Sequence, residues 1–273
     1  MARFGSSPLA FPDFKGATRK LILINLATYF ALLLANFASP SAAKIAGLLV
    51  FDPSAFMHGA LWQPLTYSFL HIGIVGTLFE LLSLWFLAGF LENFHDANWV
   101  TSLYAFSVLG TAAAALVLYV VAGTLAPSLL LNVSPLYGCF GGIFGLLVAI
   151  GVLYGDLQFT LFPLPIGIKA RYMVIIYALV AVAMLFGQER MYAFAQLGGA
   201  LAGLAFVRMA PRRGMSFMLS ESWYGLRNRY YRWKRRRAAR KFEVYMRSQG
   251  RTVKFDGQGN RIDEDADDKK RWN

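Results

Sequence analysis

Charge is scarce in the middle of this chain. Of 27 Lys and Arg residues, only Lys44, Lys169, Arg171 and Arg190 fall between positions 21 and 207. Charged residues make up 15% of the whole, where a soluble domain carries about a quarter. The deficit excludes an ordinary soluble core and places most of the chain in lipid. Cysteine is scarcer still. Cys139 is the single one, which excludes an intrachain disulfide and the zinc sites built from two to four cysteines. A cleavable leader is not expected either: the first 20 residues contain Pro8, Pro12 and Asp13 and no short apolar run ending in small residues. The first hydrophobic helix is expected to insert and stay. No internal repeat or low-complexity stretch interrupts the apolar block.

What the chain does have is six apolar segments that read as membrane helices of roughly 17–25 residues, the length a hydrocarbon core of about 30 Å requires, the fifth of them short. They run over 21–37, 67–91, 99–121, 137–154, 172–186 and 191–207. With the N-terminus in the cytoplasm, 25 of the 27 Lys and Arg fall on the cytoplasmic side, as the positive-inside rule requires. The expected fold is an all-α, polytopic, six-helix membrane bundle with both ends cytoplasmic. The domain reading is a cytoplasmic segment over 1–20, a membrane domain over 21–207, a basic aromatic segment over 208–249 and a disordered charged tail over 250–273. The external loop from Ala38 to Pro64 contains two apolar pieces, Ile45–Phe51 and Ala55–Trp62, too short to span and suited to lying at the membrane surface. Residues 219–249 mix Trp223, Tyr224, Tyr230, Tyr231 and Trp233 with the run Lys234-Arg235-Arg236-Arg237. This pattern suits anionic lipid headgroups, or serves only as a topological anchor. Nucleic acid is not expected as a partner.

Glu80 stands out because it interrupts one of the six apolar segments. A carboxylate at membrane depth costs several kcal/mol and by default marks a site. Around it, three segments belong together: Trp62-Gln63 with Phe69-Leu70-His71 leading to Glu80; Gly138-Cys139-Phe140-Gly141-Gly142-Ile143-Phe144-Gly145; and Gln196-Leu197-Gly198-Gly199-Ala200-Leu201-Ala202-Gly203. In this order and spacing they resemble the rhomboid family of intramembrane serine proteases over about residues 20–210. Pro165-Ile166 with Lys169-Ala170-Arg171-Tyr172 resembles that family's approach to its fifth helix.

The departures from the family pattern decide what the resemblance implies. Phe140 stands at the nucleophile position and Gln196 at the general-base position. Gly76 replaces the second histidine of helix two, Glu80 replaces the asparagine, and Trp62-Gln63 replaces a Trp-Arg pair. His71 is retained. Serine-protease chemistry needs a hydroxyl, a base to take its proton and donors for the oxyanion. A phenyl ring has no lone pair, an amide is no base near neutral pH, and an ionised Glu80 would repel an oxyanion. No catalytic residue is intact, and no cofactor or metal is implied by these motifs. Two small-x-x-x-small faces survive, Gly141/Gly145 and Gly199/Gly203, and suit closely packed helices.

The resemblance to inactive rhomboids and derlins implies binding of the transmembrane segments of client proteins without cutting them. The compact six-helix block without a large external domain suits a bacterial cytoplasmic membrane, with an organelle as the alternative. An intramembrane protease using unconventional residues is the alternative, and a small transporter built on Glu80 is a third reading. Glu80 reads either as a proton, ion or substrate site or as a neutral buried acid hydrogen-bonded to Gln196. Cys139 reads as an inert thiol, His71 as a structural histidine of the second helix or a residue lining the vacated cleft. His58 and His95 lie outside the helices. Ser83 and Ser134 lack a base partner.

Overall fold

The computed structural model describes residues 12–38, 42–125, 135–161, 166–187, 190–209, 215–250, 253–255 and 261–262. The chain forms two units, Met1–Met215 and Ser216–Asn273. In the first, helix α1 (Gly16–Ala38) is followed by three short surface helices, α2 (Ala42–Leu49), α3 (Pro53–Met57) and α4 (Gln63–Thr66), and a 3-10 turn at Tyr67–Phe69. Then come α5 (Ile74–Glu92), α6 (Ala97–Leu125), α7 (Phe140–Leu153), the hairpin β1 (Gln158–Leu161) and β2 (Ile166–Lys169), α8 (Ala170–Met184) and α9 (Arg190–Met209). The second unit holds the tail helix α10 (Met215–Ser248) and the short pair β3 (Lys254–Phe255) and β4 (Arg261–Ile262).

The protein is mostly helical. Among the described residues, α1, α5, α6 and α9 are long and apolar enough to cross a membrane. Helices α7 and α8, with 14 and 15 residues, fall short of the about 20 a straight crossing needs.

Three expectations need correcting. The fold is not purely helical: β1 and β2 pair antiparallel from Gln158↔Lys169 to Leu161↔Ile166. Phe159 anchors this hairpin to the bundle, its ring edge-on to Phe90 at 5.0 Å and to Phe86 at 5.7 Å. The second long helix begins at Ile74, not Tyr67. Leu70 is extended and Gly73 has φ +80°, a conformation that glycine adopts without strain. His71 therefore lies in a backbone segment before the helix. The tail over 250–273 is not wholly without structure, since β3 and β4 pair there and Phe255 meets Phe242 of α10. Residues 251–252, 256–260 and 263–273 lie outside the described residues, as does Ser134.

The core is assembled on missing side chains. Added Cβ atoms at Gly199 and Gly203 of α9 would lie 2.7 Å from the Gly141 carbonyl oxygen and 2.6 Å from the Gly145 Cα of α7. The two small-residue faces read from the sequence thus meet one another. Helix α6 closes the triple contact: Thr111, Tyr104 and Ser107 fill the space left by Gly141, Gly142 and Gly145. Such close approach maximises backbone van der Waals contact, the force available when lipid supplies no hydrophobic drive between helices.

Candidate functional site

The start of α7 is held by four backbone hydrogen bonds. Gly138 N–H is shared between the Tyr67 and Leu70 carbonyls at 3.1 and 2.8 Å, and Phe51 and Leu136 exchange two bonds of 2.9 Å. The Tyr67 hydroxyl donates to the Val108 carbonyl of α6 at 2.9 Å. The loop between α1 and α5, the approach to α5 and the first turn of α7 are therefore tied together at one corner. In that loop Gln63 is buried and its Oε1 accepts the Asp52 N–H at 3.1 Å. Trp62 is exposed and donates from Nε1 to the Leu48 carbonyl.

The sequence-derived site residues separate into two groups at this corner. Phe140 and Gln196 border one small cleft with a cavity volume of about 10 Å³, together with Tyr67, Thr111, Tyr137 and Tyr192. The Phe140 ring sits edge-on to Tyr192 at 5.9 Å, and the Tyr192 hydroxyl donates to the Tyr137 carbonyl at 3.3 Å. No histidine, carboxylate or amine is among the residues lining the cleft. It has room for about one water molecule, far below the roughly 300–1,000 Å³ of a typical small-molecule site. Gly76 belongs to neither group. It is exposed on α5, with open space where a Cβ would stand.

The second group is His71, Glu80 and Cys139, all buried. Glu80 Oε2 accepts the Cys139 backbone N–H at 2.9 Å and faces the Cys139 thiol at 3.5 Å. The His71 Nε2 atom lies 3.3 Å from the same oxygen. Gly138, at φ +88°, makes room for this carboxylate, since a Cβ there would come within 2.7 Å of Oε2. Glu80 thus caps the first turn of α7, whose leading N–H groups have no partner within the helix. The expected hydrogen bond from Glu80 to Gln196 is absent; among the described residues no hydrogen bond reaches the Gln196 amide. The other candidates stay apart from both groups. His58 follows α3 and bonds the Ser54 carbonyl. His95 stacks on Trp99 and meets the Tyr154 hydroxyl at 3.1 Å. Ser83 is half-buried on α5.

Sequence reasoning missed the part that Cys139 plays. Its backbone N–H is what Glu80 needs, and a main-chain donor leaves no signature in residue type. A sequence profile described as eukaryotic integral membrane protein (DUF1751) matches residues 22–213, from within α1 to past the end of α9. The chain belongs to this family. No curated protein matches the chain. Family membership overturns the expected bacterial cytoplasmic membrane, because the family is one of eukaryotic integral membrane proteins. A compact apolar block carries no mark of which kind of cell its bilayer comes from, so composition could not have decided this.

Proposed function

We propose that this member of the family is a rhomboid-like protein without peptidase chemistry that holds transmembrane segments of other membrane proteins. In this reading the chain crosses the membrane six times with both ends cytoplasmic. Helices α7 and α8 would span about 21–23 Å at 1.5 Å per residue. The bilayer must then thin beside them.

The observation that carries the reading is the cleft itself. At the two places where the rhomboid pattern requires a nucleophile and a base, a phenyl ring and an amide border the same small space, and nothing lining it can take a proton from a hydroxyl. Glu80 is committed to the α7 terminus, so the polar contact left for a client helix is the Gln196 amide with the tyrosines around it. Each intramembrane hydrogen bond contributes about 0.6–2 kcal/mol, so a client is held by several contacts and exchanges readily. The basic helix α10 adds attraction to anionic headgroups, about 1 kcal/mol per cation near the surface.

The test uses purified full-length protein in liposomes. Wild type is expected to leave a transmembrane substrate uncut, to resist a fluorophosphonate probe and to co-purify from native membranes with intact helical partners. The double variant Phe140→Ser/Gln196→His is the comparison. Wild type that cleaves as fast as this variant overturns the proposal.

A further inference from the structure

We propose that His71, Glu80 and Cys139 form a binding site for a divalent transition-metal ion of the zinc class, tying the approach to α5 and the start of α7 to α5 itself. This inference is independent of client binding.

The tautomer of His71 is the first observation. Its Nδ1 lies 3.3 Å from the Phe69 carbonyl oxygen. A carbonyl only accepts, so Nδ1 carries a proton, and in the Nδ1–H tautomer the ring presents a lone pair at Nε2. That Nε2 is fully buried, has no hydrogen-bond partner and lies 3.3 Å from the Glu80 carboxylate. A lone pair facing a carboxylate in a low-dielectric interior is repulsive unless a cation lies between them. A proton on Nε2 could serve only by pointing at the oxygen, and the ring is not aligned for that bond. A metal ion lying off the direct line meets no such requirement. A backbone carbonyl on the distal ring nitrogen is also the usual support of a metal-bound histidine.

Geometry and charge agree. The ligand atoms of the three residues lie within 4.8 Å of one another. Two of the separations are 3.3 and 3.5 Å. Bonds of about 2.0–2.3 Å from a tetrahedral zinc ion place its ligand atoms about 3.3–3.6 Å apart. One imidazole, one carboxylate and one thiolate form a mixed set that suits zinc better than magnesium or calcium, which take oxygen ligands. On binding, the Cys139 thiol releases its proton to water and the sulfur bonds the metal. A divalent ion with one carboxylate and one thiolate then has zero net charge, which removes the penalty of an uncompensated anion in the bundle. The Cys139 N–H on Oε2 supports the ligating carboxylate, as outer-shell donors do. The zinc patterns excluded by a single cysteine were those needing two or more; this set needs one.

The experiment loads full-length protein in detergent with zinc or cobalt, removes excess metal, and measures metal content and the cobalt absorption spectrum. About one ion per chain and a sulfur-to-cobalt charge-transfer band in the near ultraviolet are expected. Cys139→Ser should abolish that band, and His71→Gln and Glu80→Gln should lose the metal, while Gln196→Leu keeps it. Folding of each variant is checked by circular dichroism. Wild-type protein that is folded but takes up no metal, or shows no sulfur band, overturns the proposal and leaves an imidazolium–carboxylate pair. Equal metal content in wild type and folded Cys139→Ser protein overturns it as well.

Discussion

Helix α5 carries two glutamates that do the same job in different surroundings. Glu80, near its start, accepts the backbone N–H at the opening of α7. Glu92, its last residue, accepts the Ala17 and Thr18 N–H groups and the Thr18 hydroxyl at the opening of α1. Each carboxylate rests where a glycine with positive φ lacks a Cβ: Gly138 at +88° and Gly16 at +53°. Glu92 stands at the end of its own helix, where the macrodipole disfavours an anion, and the α1 N-terminus compensates it. Glu92 is half-buried and has three donors. Glu80 is buried and has one backbone donor, with a thiol and an imidazole beside it. Capping therefore accounts for Glu92 in full and for Glu80 only in part.

The two glycines test this contrast most severely. Gly138→Ala combines a left-handed backbone strain of about 1–3 kcal/mol with overpacking of about 1–3 kcal/mol against a carboxylate that is enclosed on all sides. A loss of about 2–5 kcal/mol is expected, read as a large fall in the unfolding temperature in detergent. Gly16→Ala meets Glu92, which can swing toward solvent but then gives up its bonds to α1, so a backbone term of about 1–3 kcal/mol is joined by about 0.5–2 kcal/mol for the lost cap. A larger loss at Gly16 than at Gly138 would break the distinction between the buried and the peripheral carboxylate.

Next in size are the carboxylates themselves. Glu80→Ala strands a buried N–H and should cost about 1–3 kcal/mol. Glu92→Ala removes a cap that water can partly replace and should cost about 0.5–2 kcal/mol. The sharper version uses Gln, which keeps an acceptor oxygen at both positions. A ligand that binds only the folded state stabilises it by mass action. Added zinc should therefore raise the unfolding temperature of wild type and of Glu92→Gln but not of Glu80→Gln. An equal rise in both variants would remove the special status of Glu80.

These pairings also mark the limit of what the sequence discloses. The apolar segments were legible because a span must be long and uncharged, and the facing glycines because close approach admits no side chain. Glu80 was legible as an anomaly. Its partner was not, because a backbone N–H belongs to nearly every residue and Cys139 lies 59 positions away. The capping role of Glu92 stayed hidden for the same reason. The late start of α5 was hidden because Phe69, Leu70 and Ile72 continue the apolar run up to the helix, and only Gly73 hinted at the break. The β1–β2 hairpin was missed because its strands are four residues each, too short for an alternating pattern to stand out. The six-span reading counted apolar segments by length, and α7 and α8 are shorter than the length it assumed.

The smallest effect is expected at a third buried polar residue, and it tests what the other two share. Gln196 is buried within the membrane block, as Glu80 is, yet no hydrogen bond reaches its amide from the described residues. If stability here comes from satisfying helix termini, a polar group that satisfies none should contribute little. An amide without a partner in an apolar setting is itself a burden, and leucine fills a similar volume. Gln196→Leu should therefore change stability by about 1 kcal/mol or less, in either direction. Client binding should weaken all the same, because the amide is the polar contact that the cleft offers. A loss of stability as large as that of Glu80→Ala would mean that Gln196 holds the fold together, and its amide could then no longer be assigned to an incoming helix.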